Sequence, residues 1–487
     1  MSASAEGLVQ QSGLKLGGVP AWCWLGVGAY LLFLVNGNGL LNDSDTYWQI
    51  AVGKSILDHH ALPYVDVFSF SKAGEPWISS SWLAQVLYAA SYRLAGWAGP
   101  VVLTAASTAV TASLLAGFLG RRIPWTYAVV VAMAAMVLST PHVLARPHVL
   151  ALPVMLAWVI GLVSASDRGR APSFWWLPLI GLWANLHGGF VFGLALVAPF
   201  AFDAWWNAEP SQRRSVVLRW IAFGAGALVA CCATPYGWGS IAASRRILEL
   251  GGLLHVISEW APADFSRAGP LEAGVFALMA AALYLGVKLS PPRIILVLGL
   301  LYMALSHVRN IEIFALLMPL VVLAPLAAQF QLQAGRSARM AFPVASAAVL
   351  VAVLGGLTWA FAASQRFSPP AAQAPAMAVD ALQARHAKRI LNDLAFGGYL
   401  ISRNQPVFID GRAELYGERF GLAFHGALQL QSVGLLIDLL KDHDIDAVLL
   451  SPSTPAASLL DRLDGWQRVH ADDIAVAYVR TAKGGQP

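Results

Sequence analysis

Leu41-Asn42-Asp43-Ser44-Asp45-Thr46-Tyr47-Trp48 closes the first apolar segment of the chain that is long enough to cross a bilayer. Its two carboxylates fall where hydrocarbon meets water. Ionisable residues at such a boundary in a multi-span protein are functional candidates, because an unpaired charge is expensive there and is kept only for a reason. The stretch therefore predicts a polytopic protein with polar partners gathered around Asp43 and Asp45.

The rest of the chain supplies the spans. Of its 487 residues 57% are hydrophobic and 12% charged, and the mean hydropathy is +0.60. A soluble globule of that composition would expose its core, so the chain reads as an integral membrane protein. Segments near the length needed for about 30 Å of hydrocarbon predict eleven spans, at 20–41, 99–120, 124–141, 147–166, 173–187, 189–206, 215–234, 271–288, 292–309, 311–330 and 341–363. Basic residues favour the cytoplasmic side, and they gather at Arg121-Arg122, Arg168 with Arg170, Arg213-Arg214, Lys288 with Arg293, and Arg336 with Arg339. With these inside, the N-terminus is cytoplasmic and the C-terminal portion extracytoplasmic. Residues Met1 to Pro20 lack the features of a cleaved signal, so the first span is expected to be retained. The net charge of +5 is dispersed over loops and points to membrane topology, with no basic stripe for nucleic acid. Cys23, Cys231 and Cys232 lie in apolar segments and suggest neither disulfides nor a structural zinc site.

The organisation follows from these spans: a transmembrane domain over 1–363, a Pro/Ala-rich linker over 364–378 and a small soluble α/β domain over 379–487. Residues 42–98 form a long external loop. Within it Trp82 to Gly96 is apolar but short and carries Tyr88, Tyr92 and Arg93, which predicts an interfacial helix. Asn185-Leu186-His187-Gly188-Gly189 predicts a broken helix or tight turn. In the tail, strands are expected at 406–410, 447–450 and 473–479, with a helix over 435–443.

Under this topology the unusual polar residues share the outer face: Asp43, Asp45, His142, Arg146, His148, His187, Glu259, His307 and Arg309. An aspartate can orient or deprotonate an acceptor hydroxyl, while Arg or His neutralises a departing phosphate. Asp43 is the candidate nearest the chemistry, with Asp45 second; Arg146 and Arg309 are candidate phosphate ligands, and His148, His187 and His307 line the same face. Trp260, beside Glu259, is placed to stack on a sugar or to anchor in the interface. Each residue also has a purely structural reading. The carboxylates could cap helices, Asp45 fitting the N-cap better than Asp43, and the arginines could snorkel. Asp410-Gly411-Arg412 reads as a local ion pair stabilising the tail. The spacing matches no structural metal motif, although the acids leave a divalent metal possible.

Asp43-Ser44-Asp45, the amphipathic Tyr47 to His59, Leu62-Pro63-Tyr64-Val65-Asp66-Val67-Phe68, Gly74-Glu75-Pro76-Trp77, the segment Trp82 to Gly96 and the closing Leu119-Gly120-Arg121-Arg122 come in an order that resembles GT-C glycosyltransferases. That class includes aminoarabinose transferases, protein O-mannosyltransferases and oligosaccharyltransferases. The chain departs from the first two at Ser79-Ser80-Ser81, where they carry Pro-Pro. The resemblance covers the first quarter of the chain. It implies transfer of a sugar from a polyprenyl-phosphate donor to a lipid, glycan or protein acceptor at the outer face of a bacterial cytoplasmic membrane, with inversion at the anomeric centre. Two other readings stay open at this point, a transporter or flippase of lipid-linked glycans and a non-catalytic assembly or sensor protein.

Overall fold

The computed structural model describes residues 19–333, 339–340 and 344–481. The start of the chain, Arg336 and the first residues of the last expected span lie outside them. Every expected span coincides with an apolar helix. Six are long and apolar enough to cross a membrane: Ala98–Leu119, Trp125–His142, Pro147–Ser166, Phe190–Asn207, Arg213–Cys231 and Val308–Gln329. Shorter apolar helices occupy the remaining segments, Trp22–Val35, Phe174–Leu186, Pro270–Leu285, Pro291–Ser306 and Val349–Ser364. Large apolar side chains such as Val130, Met133, Leu283, Ile295 and Leu298 stand exposed on these helices. Water would penalise that surface and lipid does not, so the protein is a multi-pass membrane protein.

Pro147–Ser166 is the most buried of the long helices and forms the central post. Leu156, Trp158 and Val159 are fully enclosed, and the Trp158 indole donates to the Gly193 carbonyl at 2.9 Å. At about 1.5 Å per residue the post separates two polar clusters by about 30 Å. Arg146 lies at its start. At its end Asp167 pairs with Arg122 and Arg293, while Asp203 accepts from Ser166 at 2.6 Å and from Ser290 and Arg293 at 3.0 Å. Arg293, expected as a loop charge, is 4% exposed, because two carboxylates and the Val321 carbonyl satisfy it inside the bundle. The expected break lies between Leu177–Leu186 and Phe190–Ala195, with His187 extended at φ −163° and ψ 140°.

The stretch between the first two apolar helices is a packed layer. Helices Asp45–His59 and Trp82–Ala95 face each other across a buried polar ladder, Ser79 to Gln85 at 2.5 Å and Gln85 to Gln49 at 2.7 Å. The Trp82 indole donates to Asn185 at 2.8 Å and ties this layer to the broken helix.

The C-terminal tail carries a four-stranded sheet. Ile390–Asn392 lies parallel to Ala447–Leu450, which pairs antiparallel with Val476–Arg480, and Trp466–Ala471 forms the far edge. The first and last of these were not anticipated. The expected helix appears as Val433–Asp442. The strand expected at 406–410 is not one: Val407 alone makes bridges, to Ser69 and Ile390. Pro406 lacks a donor, and the Asn392 side chain takes the Phe408 amide at 2.9 Å where a ladder bond would run. The strand expected from 473 begins at Val476, because the Asp472 carboxylate turns the chain by accepting the amides of Ile474 and Ala475.

The tail shares a core with this layer. Tyr47, Trp48, Val52 and Trp77 pack with Phe396, Leu400, Val407 and Leu449, each large side chain contributing about 1.5–3 kcal/mol. Asp410-Gly411-Arg412 is more than a local pair. Arg412 bonds Asp410 and also reaches Asp66 of the loop at 2.6 Å, with all three side chains fully buried. Burial works against the Arg412 charge, but Asp410, Tyr416 and Asp66 outweigh it and hold its pKa above the ordinary value. Removing one partner of a buried pair typically costs about 3–5 kcal/mol. Asp66→Ala is therefore expected to release the tail at markedly lower temperature, read as earlier cleavage around residues 368–375 in limited proteolysis during a thermal ramp. Wild-type cleavage would show that the pair is dispensable.

Candidate active site

Asp43, Asp45 and Glu259 converge on one guanidinium. Asp43 pairs with Arg146 Nε, Asp45 with Nη2 and Glu259 with Nη1. Local sequence explains each position. Pro147 opens the central helix and forces the preceding residue into extended backbone, so Arg146, at φ −124° and ψ 156°, projects away from the helix start. Its segment is stitched to the acid turn: the Ala145 amide donates to the Leu40 carbonyl at 2.7 Å, and Thr46 Oγ1 donates to the Ala145 carbonyl at 3.2 Å. The Tyr88 hydroxyl donates to the Arg146 carbonyl at 3.1 Å.

Neither acid is the N-cap, which is Ser44. Asp43 Oδ1 accepts the Asp45 amide at 2.8 Å, and the helix begins at Asp45, which is already in its first turn. Asp45 is free to use Oδ1 for the Trp48 indole at 2.9 Å and Oδ2 for Arg146. Glu259 comes from the short helix Ser258–Trp260. That segment is pinned to the 305–309 turn by two bonds, Val308 amide to Ala261 carbonyl at 3.0 Å and Ala263 amide to Leu305 carbonyl at 2.9 Å.

Three carboxylates share one cation, and the surplus negative charge falls hardest on the most enclosed of them. Side-chain exposure is 7% for Asp43, 21% for Asp45 and 39% for Glu259. Burial, only partly offset by Arg146, raises the Asp43 pKa to about 7. Glu259 goes the other way, because Arg146 and Arg309 overcome its smaller desolvation. The Arg146 guanidinium, though buried, is held charged by Asp45, Asp43 and Glu259.

The remaining candidates lie around this cluster. Arg309 stacks on Trp260 with 4.5 Å from Cζ to the ring centre, and His307 meets the same ring edge-on at 5.2 Å. Arg309 makes no ion pair among the described residues, so its donors remain available. Trp260, expected on one reading to face a sugar, has one face covered by Arg309. His148 bonds the His142 carbonyl through Nε2 at 2.9 Å, and its ring lies 6.1 Å from that of His187. His187 Nδ1 accepts the Gly189 amide at 3.1 Å, which leaves the proton of the neutral ring on Nε2. Glu312 was missed in the sequence. It is 3% exposed, its Oε2 lies 3.9 Å from His148 Nε2, and its Oε1 has no hydrogen-bond partner among the described residues. A lone acid at the start of the apolar helix Ile311–Gln329 was the available signal. Among the described residues no group of three or more His, Cys, Asp or Glu is arranged to hold a metal. The acids best suited to one are turned onto Arg146.

Comparison with solved structures identifies the architecture. The chain is similar to the oligosaccharyltransferase AglB from Archaeoglobus fulgidus, solved with an inhibitory peptide and a dolichol-phosphate, at a TM-score of 0.54 and 11% identity over 88% of this chain and 69% of that one. It is also similar to ArnT from Cupriavidus metallidurans in the apo state, at a TM-score of 0.50 and 15% identity over 96% of this chain and 99% of that one. Both carry the GT-C fold, and the chain is built on that fold, as the first quarter of the sequence suggested. No protein-family model and no curated protein matches it.

If Arg146 holds Asp43 down against burial, removing the cation must raise the acid further. Arg146→Ala is expected to move the Asp43 carboxyl titration upward by about one to three pH units, followed by difference infrared spectroscopy against Asp43→Asn. An unmoved midpoint would show that the guanidinium does not control this acid.

Proposed function

We propose that the protein is a membrane glycosyltransferase that moves a sugar from a polyprenyl-phosphate donor to an acceptor at the outer face of the cytoplasmic membrane. The observation that carries this reading is the meeting of Asp43, Asp45 and Glu259 on Arg146 at one end of a GT-C bundle, opposite the end that holds Arg122, Arg168 and Arg293. Basic residues at the far end support an extracytoplasmic site, an N-terminus inside and eleven spans. The dolichol-phosphate named with AglB supports a lipid-phosphate partner.

A place for the lipid fits the same picture. Between Leu177–Leu186 and Arg213–Cys231 lies an open apolar groove of about 700 Å³, lined by Phe174, Trp175, Leu182 and Ala230. Asn185, two residues before His187, is among its lining residues. A prenyl chain in this groove would bring its phosphate toward His187 and Arg309. Arg146 is a weaker phosphate ligand than the sequence suggested, because its nitrogens already face three carboxylates; its part is to organise the acids.

In the reaction, Asp43 accepts the proton of the acceptor hydroxyl as that oxygen attacks the anomeric carbon. The bond from that carbon to the phosphate oxygen breaks, and the phosphate leaves with the electron pair, met by Arg309 and the Nε2 proton of His187. Attack opposite the leaving group inverts the anomeric centre. None of these steps is routed through a metal: the acids a cation would need are engaged by Arg146.

The base must be ionised to work, and its pKa is raised to about 7. Transfer is therefore expected to rise with pH through a midpoint near 7. Asp43→Asn should lower it by about 10²–10⁴-fold in stably inserted protein. The assay incubates the purified chain with labelled polyprenyl-phosphate sugars and envelope lipid, glycan and peptide acceptors. Undiminished transfer by the Asn variant, or a product retaining its anomeric configuration, would overturn the mechanism.

A further inference from the structure

The tail touches the acid turn through backbone. A Cβ on Gly411 would stand 2.1 Å from Asp45 Oδ1 and 3.0 Å from Trp48 Nε1, the two atoms that hydrogen-bond each other at 2.9 Å. A Cβ on Gly398 would stand 2.2 Å from the Ser44 carbonyl oxygen. Neither glycine has a left-handed backbone, so a methyl group is excluded by space alone.

What holds Gly411 there is the buried pairing of its neighbours, Asp410 and Arg412, with each other and with Asp66. From Arg412 the chain continues as two helical segments within Ala413–Leu428, joined at a kink at Gly417 (φ 74°, ψ 168°), toward residues 251–256. Glu414 accepts the Trp77 indole at 3.1 Å. Glu418 accepts the Gly252 amide at 2.5 Å, and a Cβ on Gly421 would stand 2.6 Å from Leu253. Residues 251–256 lead directly into Ser258–Trp260, which carries Glu259. One continuous piece of the tail thus grips the two separate loops whose carboxylates meet on Arg146.

We propose that residues 398–428 form a positioning strut for the Arg146 cluster. Gly398 and Gly411 are positioning residues that fix Asp45, and the helical segment after the Gly417 kink, through Glu418 and Gly421, fixes the segment bearing Glu259. The spacing of the acids is then set from outside the helical bundle, and any partner that shifts the tail shifts the site. Only the consequence for catalysis rests on the transferase reading.

The test uses the full chain in detergent micelles. In Gly411→Ala, amide exchange over residues 43–48 is expected to quicken by about tenfold or more, while Ala447–Leu450 stays as protected as in the wild type. Unchanged exchange over 43–48 overturns the proposal. Should the variant also lose protection in the sheet, a double-mutant cycle with Asp45→Ala decides. Contact through Asp45 makes the fall in Tm caused by Gly411→Ala about half as large or less once the Asp45 side chain is gone, and equal falls in both backgrounds overturn it. In the transfer assay the same variant should lower kcat by about tenfold or more with donor KM little changed, and an unchanged kcat removes the strut's part in catalysis. A wild-type chain that transfers nothing defeats the transferase reading and leaves the exchange result standing.

Discussion

A single guanidinium, Arg146, meets carboxylates from three stretches of chain that are far apart in sequence. Partly withdrawn from water, each of those charges would be costly alone. Together they are tolerable only if the turn after the first span, the start of the central helix and the segment before residue 260 stay in register. Most of what surrounds the site can be understood as the means of keeping that register. The bonds from Ala145 to Leu40 and from Thr46 to Ala145 join the first two, and the pairing of residues 261–263 with 305–308 anchors the third.

The same constraint explains why the acids differ. Stoichiometry leaves more negative charge than one Arg can neutralise, and depth decides which carboxylate bears the excess. Asp43 is the deepest, so its proton affinity rises toward neutrality, while the more exposed Glu259 is held ionised by Arg146 and Arg309. One carboxyl with raised and one with lowered proton affinity thus arise from the same residue class by position alone.

Much of the architecture was legible in the sequence because a bilayer imposes a strong and local rule. Long apolar runs must be helices, since no water is available to satisfy an exposed backbone. The eleven runs, the break near His187 and the short helix at 82–95 were all visible in that pattern. Asp43, Asp45, Arg146 and Glu259 were also legible as a set, through charge at span ends. Glu312 and Arg293 were not: each is one charge in an apolar stretch or beside a loop, and hydropathy alone cannot say whether such a charge faces solvent or a buried partner.

Pairing is a different kind of information. Composition and periodicity established a membrane bundle followed by a small α/β tail, because those properties depend on neighbours along the chain. Which carboxylate each nitrogen of Arg146 faces and the seating of Gly411 against Asp45 depend on residues about a hundred to several hundred positions apart. Asp410-Gly411-Arg412 shows the difference most clearly. In sequence it is a surface ion pair in a separate domain; folded, it is buried against Asp66, more than three hundred residues away, and lies over the site. Contacts across that distance come from the packing of whole layers, and a local pattern of residues carries no trace of them.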